Sequence, residues 1–204
     1  MGHLYKQAES YLDRLKTTSS SVFVEIGSDK GNGSTLPLAG MAKTLGLRLI
    51  TVDIEQQLLG KLHYRYPDDP RLDNIDCVCA QGSQWAQEVF PTHNLTISCL
   101  YLDNFDYDYG DPQWHHLIIE QQQEYANKGF NMTNFNSQLE HLAQMSALLT
   151  LMDPSSIVIC DDTYTWNNCW VGKCGAVVPF LQLNGYNIIE KDESAVMLAR
   201  NLKG

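Results

Sequence analysis

No run of apolar residues in this 204-residue chain approaches the roughly 20 that a membrane-crossing helix needs. The opening Met1-Gly2-His3, followed by charged Lys6, Glu9, Asp13 and Arg14, lacks the apolar core of a signal peptide. Basic residues are scarce: 14 Lys and Arg stand against 24 Asp and Glu, a net charge of −10. Nucleic acids and anionic membranes carry the same sign, so neither is expected as a partner. No Cys-x-x-Cys pair occurs among Cys77, Cys79, Cys99, Cys160, Cys169 and Cys174. These thiols read as small, reduced hydrophobes rather than zinc ligands or disulfides. Internal repeats and low-complexity tracts are also missing. A cytoplasmic protein is the simplest expectation.

What is present, 44% hydrophobic and 19% charged residues, suits one globular domain over residues 1–204. Within residues 1–20, Leu4, Tyr5, Ala8, Tyr11, Leu12 and Leu15 recur at helical spacing and predict an amphipathic helix over 4–17. Short apolar runs then alternate with helical patterns. Strands are expected at 22–26, 47–52, 75–80, 96–102 and 157–160, with helices at 34–45, 56–66, 83–90 and 176–183. Pro37 falls in a first helical turn, where its missing N–H costs nothing, and Gly46 ends that helix. Ser137-Gln138-Leu139-Glu140 has the form of a capping box opening a helix to about Met152. A hairpin-like pair, 186–191 and 195–200, closes the chain. Such alternation predicts a Rossmann-like α/β fold, a mostly parallel sheet with helices on both faces. Residues 104–136, rich in Asn, Asp, Tyr and Gln, show little periodicity and read as a long loop.

Open α/β sheets bind ligands beyond the carboxyl ends of their strands. Here the expected strands end in Gly27, Asp53, Gly82-Ser83, Asp103 and Asp161-Asp162, which gathers polar and acidic groups on one rim. The first turn, Gly27-x-x-x-Gly31-x-Gly33, is not Gly-x-Gly-x-x-Gly, and no Walker lysine follows. With Glu25 before it and Asp53 ending the next strand, the pattern suits an adenosine ligand whose ribose hydroxyls are bound by an acid and which has no phosphate to cradle.

The segments Val22-Phe23-Val24-Glu25-Ile26-Gly27-Ser28-Asp29-Lys30-Gly31-Asn32-Gly33-Ser34 and Leu49-Ile50-Thr51-Val52-Asp53 resemble the first two motifs of class I S-adenosylmethionine-dependent methyltransferases. The three-residue gap between Gly27 and Gly31 is similar to that of the cation-dependent O-methyltransferases, including the catechol and antibiotic-sugar types. In element order the resemblance spans about residues 22–200. It implies a seven-stranded sheet whose last strand is antiparallel. It also implies that Glu25, Gly27, Ser28, Gly31, Gly33 and Ser34 surround the methionine and ribose part of S-adenosyl-L-methionine. Asp53 would hold the ribose hydroxyls, and Ser83 and Gln84 would contact adenine. The other reading of Ser83-Gln84 is a plain helix N-cap.

Asp103 matches the family's first metal ligand and also lies on the cofactor side; Asp161 and Asp162 match the adjacent pair that completes the site. A charge argument points the same way. Asp103 and Asp161 end strands expected to be neighbours about 5 Å apart, and three carboxylates there repel unless a proton or cation intervenes. Hard oxygen donors favour Mg2+, Mn2+ or Ca2+. The alternative is that Asp161 or Asp162 caps the following loop. Catechol-type members carry a lysine base three residues after the first ligand; here that position is Asp106. In some sugar-modifying relatives the first aspartate is itself the base, which would be Asp103. His115, His116 and His141 are further candidates or packing residues.

The expected activity is thus divalent-metal-dependent O-methylation of a small-molecule hydroxyl. The alternatives are an NAD-type oxidoreductase or a cofactor-binding partner protein without turnover. Aromatic residues in 104–136 suit a lid or acceptor pocket, with Trp166 and Trp170 as an opposite wall, or a homodimer contact.

Overall fold

Seven strands form one sheet, in the spatial order Ile75–Cys79, Leu49–Asp53, Ser21–Ile26, Thr96–Leu102, Met152–Cys160, Val196–Ala199 and Asn187–Lys191. The computed structural model describes residues 4–28, 31, 33–54 and 56–201. The strands are β1 (Ser21–Ile26), β2 (Leu49–Asp53), β3 (Ile75–Cys79), β4 (Thr96–Leu102), β5 (Met152–Cys160), β8 (Asn187–Lys191) and β9 (Val196–Ala199). Pairing is parallel from β3 through β5, while β9 runs antiparallel to both β5 and β8. A two-stranded hairpin, β6 (Thr163–Trp166) with β7 (Cys169–Gly172), stands apart from the sheet.

Alternate residues of each strand feed two cores, as period-2 geometry requires. Phe23, Leu49, Cys99, Ile157 and Met197 face the layer that holds α1 (Leu4–Ala8), α2 (Thr35–Thr44) and α3 (Leu58–Arg65). Val24, Ile50, Leu100, Val158 and Leu198 face the opposite core with Trp85, Met145, Leu148, Val178 and Leu181. That second layer contains α4 (Gly82–Gln84), α6 (Asn134–Leu148) and α7 (Val177–Leu183). Burial on both faces explains why the central strands are nearly continuous apolar runs. All six cysteines are free. Among the described residues no helix is long and apolar enough to cross a membrane.

Four local expectations are corrected. The first helix breaks at Ala8 and continues as a 3-10 turn over Glu9–Arg14. Residues 104–136 are not one loop, because α5 (His115–Asn127) forms within them. Only Ile118 of α5 is buried, so the helix has almost no apolar stripe for periodicity to detect. Helix α6 starts at Asn134, capped by Thr133, whose hydroxyl accepts the Asn136 N–H at 3.1 Å. Ser137 therefore lies inside the helix and donates instead to the Phe105 carbonyl at 2.9 Å. Finally, the polar stretch after Asp162 is the β6–β7 hairpin, turned by Asn167 and Asn168, both at positive φ.

Candidate functional site at the carboxyl rim of the sheet

Strand order reverses between β1 and β4, so the chain leaves the sheet in opposite directions on either side of that gap. The ladder continues one residue beyond the strands: Gly27 N–H donates to Val52 O, Asp103 N–H to Ile26 O and Asp161 N–H to Leu102 O. Asp53, Gly27, Asp103 and Asp161 thus stand in a row across four adjacent strand ends. Gly27 has φ +93°, and a Cβ there would lie 2.3 Å from the Asn104 nitrogen. Only glycine permits this close approach.

On the β2 side, Asp53 Oδ2 accepts the Ser28 backbone N–H at 2.9 Å. The turn after β1 thereby fixes the acid that ends β2. Gly31, also at positive φ, packs against Leu62, whereas a side chain at Gly33 would meet nothing within 4 Å. A cavity of about 510 Å3 is lined by Ile54, which follows Asp53 in the chain, and by Gln56, Lys128 and Phe130. A second, of about 330 Å3, includes Ser83, Phe105, Phe130 and Glu140. Phe130 belongs to both.

Glu25 is bonded at the start of α2. It is fully buried and accepts hydroxyl bonds from Ser34 (2.6 Å), Thr35 (2.8 Å) and Thr51 (2.6 Å). Burial raises its pKa while these three donors oppose the shift. Glu25 and Ser34, both expected at the cofactor, are bonded to each other: Ser34 gives its hydroxyl to Glu25, and both are buried at the start of α2. Ser83 and Gln84 lie within α4, where the Gln81 side chain accepts the Gln84 N–H at 2.8 Å. The Ser83 N–H goes to Glu140 Oε1 at 2.8 Å, and Gln144 bridges Glu140 and Asn104 at 2.9 and 3.0 Å. The N-cap of this segment is Gln81 rather than Ser83, and Ser83 lines the second cavity.

Asp103 and Asp162 converge as expected, but on Lys173. Its ammonium donates to Asp103 Oδ1 at 2.8 Å and meets Asp162 Oδ2 at 3.0 Å. The lysine side chain is 7% exposed, against 28% and 31% for its partners. Asp161 turns aside: its Oδ2 accepts the Tyr101 hydroxyl and its Oδ1 accepts the Asp162 N–H at 2.9 Å. Among the described residues no three His, Cys, Asp or Glu side chains are arranged to hold a metal ion. The expected Asp103, Asp161 and Asp162 ligand set is thus not assembled, because a lysine ammonium lies between two of the carboxylates and the third is bonded elsewhere. Burial works against the charged lysine, yet Asp103, Asp162 and Asp106 outweigh it and hold its pKa well above the ordinary value. Burial also pushes Asp103 up to about 7, with Lys173 opposing and the neighbouring acids adding to the rise.

Sequence reading missed Lys173, which lies 70 residues from Asp103. The signal was an isolated lysine at Gly172-Lys173-Cys174, following an expected strand-end acid pair. Among the histidines, His141 is buried in α6, with its Nδ1 at 2.7 Å from the Ser137 carbonyl and its Nε2 without a protein partner. Burial lowers its pKa to about 4, so it is neutral. His115 and His116 are exposed on α5. The segment after Asp103 packs through Phe105 on Tyr125 and Tyr109 on Tyr164, the latter from the hairpin. Trp166, expected as an acceptor wall, is 67% exposed.

The sheet order, the antiparallel β9 and the site at the switch point define the class I S-adenosylmethionine-dependent methyltransferase fold. No protein-family model matches the chain, and no curated protein matches it by sequence. Solved structures do. A putative rRNA-methylase from Clostridium thermocellum aligns over 98% of this chain and 97% of its own, at 11% identity and TM-score 0.57. The O-methyltransferase TomG from Streptomyces achromogenes, in complex with SAM, aligns over 98% and 78%, at 14% identity and TM-score 0.56. The glycopeptide N-methyltransferase MtfA, also complexed with SAM, aligns over 98% and 87%, at 11% identity and TM-score 0.52.

Proposed function

We propose that this protein transfers a methyl group from S-adenosyl-L-methionine to a hydroxyl of a small molecule. The observation that carries the reading is the row Asp53–Gly27–Asp103 across the switch point, with a cavity of about 510 Å3 lined by Ile54, the residue after Asp53. S-adenosyl-L-methionine supplies an electrophilic methyl on a positively charged sulfur. The residues fit such a cation. Asp53, whose Oδ2 accepts the Ser28 N–H, ends β2 as the carboxylate that would accept the ribose hydroxyls. Ile54 and Phe130 offer apolar faces for a base.

A dinucleotide fits less well. Its pyrophosphate would rest on the α2 N-terminus, where helix amides and dipole usually favour an anion. Here the buried Glu25 carboxyl group lies directly under that terminus and takes the Ser34 and Thr35 hydroxyls. The acids of the rim add unfavourable charge for phosphate and favourable charge for sulfonium.

In this reading Asp103 accepts the proton from the acceptor hydroxyl as its oxygen bonds the methyl carbon and the sulfur–carbon bond breaks. A carboxyl group raised toward neutrality is a competent base for that step. Tyr107, Tyr109 and Tyr164 pack on one another, joining the segment after Asp103 to the hairpin, and would receive the organic part of the acceptor.

Calorimetric titration with S-adenosylhomocysteine and with NADH separates the cofactor classes. Binding of S-adenosylhomocysteine alone is expected, and NADH binding alone sinks the proposal. Label transfer from methyl-labelled S-adenosyl-L-methionine to small-molecule extracts then distinguishes an enzyme from a partner protein that binds without turnover.

A further inference from the structure

The Asp103–Lys173–Asp162 bridge has the charge arrangement of a metal centre built from protein alone. Two carboxylates from the ends of β4 and β5 point at one cation, 2.8 and 3.0 Å away. The backbone fixes that cation. Lys173 N–H donates to Asp162 O at 3.0 Å, and Gly172 before it sits at φ +93°, where a Cβ would lie 1.9 Å from the same carbonyl. The hairpin β6–β7 therefore folds the lysine back over the acid that precedes it. Its ammonium is buried, so exchanging it for an ion from solution means leaving a charged group without its partners. The remaining acid, Asp161, has both oxygens engaged by Tyr101 and the Asp162 amide.

We propose that Lys173 is the resident cation of this site. It orients Asp103 and Asp162 and keeps divalent ions out, so the chemistry at Asp103 runs without a metal. Metal exclusion stands on the ion pair itself; its consequence for turnover rests on the methyl-transfer reading. Lys173 acts through the two aspartates and is a positioning residue. Replacing the ammonium by an uncharged side chain leaves two close carboxylates whose repulsion only a proton or an added cation relieves. Hard oxygen donors would then recruit Mn2+ or Mg2+.

The test is Mn2+ titration followed by electron paramagnetic resonance on metal-stripped wild type, Lys173→Met and Lys173→Gln, with circular dichroism to confirm folding. Wild type is expected to show no site-bound Mn2+ up to about 1 mM, the weak end of protein sites for divalent ions. The Lys173 variants should each gain one bound ion, and adding Asp103→Asn should abolish it. Stoichiometric Mn2+ binding by wild type overturns the proposal whatever the variants do. So does a folded Lys173→Met or Lys173→Gln that binds no more than wild type. S-adenosylhomocysteine titration of the same wild-type sample reports separately on the methyl-transfer reading, since failure there leaves the Mn2+ outcome intact.

Discussion

A Cβ on Gly172 would lie 1.9 Å from the carbonyl oxygen of Asp162. The two residues are brought together where β6 and β7 pair, Thr163 opposite Gly172, and the contact sets where Lys173 begins. Gly172→Ala adds both a backbone clash and a side chain at positive φ. It should destabilise the protein by about 3 kcal/mol or more, within the range of strained-backbone substitutions. Denaturant unfolding measures this; a change under about 1 kcal/mol would mean that the hairpin relaxes freely.

Asp53→Ala should weaken S-adenosylhomocysteine binding by about 1–3 kcal/mol, the scale of hydrogen bonds lost to a charged group. The rate at saturating cofactor should change little, because Asp53 is remote from the transferred methyl in the proposed arrangement. Titration calorimetry and steady-state kinetics on one preparation read both quantities. A variant that keeps its affinity removes Asp53 from the ribose site.

Phe130 walls both cavities and comes from the segment following α5. Phe130→Ala should raise the dissociation constant for S-adenosylhomocysteine about tenfold, in line with aromatic–base stacking energies. Phe130→Tyr should retain most of the affinity. Equal binding by all three proteins would place the base elsewhere.

Asp103→Asn removes the proposed proton acceptor yet leaves Lys173 paired with Asp162. Turnover should fall by about 10²–10⁴, the usual contribution of general-base catalysis. Affinity for S-adenosylhomocysteine, measured by calorimetry, should stay close to wild type. Undiminished turnover would move the base to another group.

His141 supplies a pH test of stability. Its folded-state pKa of about 4 lies below the ordinary 6.5, so the unfolded chain binds the proton more tightly. Its contribution is complete above about pH 6.5 and is lost as pH falls toward 4, amounting to about 3 kcal/mol. His141→Gln should flatten the stability slope in that window. Unfolding free energies taken between pH 4 and 7 decide the matter, and an unchanged slope would show that other groups dominate.

The sheet was legible because its strands are short apolar runs set between helical patterns, and the rim acids because they follow those runs directly. Asp53, Asp103 and Asp161 were placed by counting to the ends of strands. Helix α5 was not legible, since only Ile118 of its residues is buried. The capping box at Ser137 misled because its Ser-x-x-Glu spacing recurs inside a helix whose true cap is Thr133, four residues earlier. Glu140 has a quite different partner, the Ser83 amide.

By itself, the sequence determined the α/β layering and the acidity of the rim, both consequences of local pattern: periodicity places side chains on faces, and strand ends place the residues that follow. Only the tertiary structure decided how that acidity is balanced. Repulsion among Asp103, Asp161 and Asp162 called for a proton or a cation, but the sequence could not say which. Lys173 answers from 70 residues away through a hairpin, and the buried Glu25 is bonded by three hydroxyls. Charge compensation acts through space at about 3 Å, and chain separation carries no information about which groups meet at that distance.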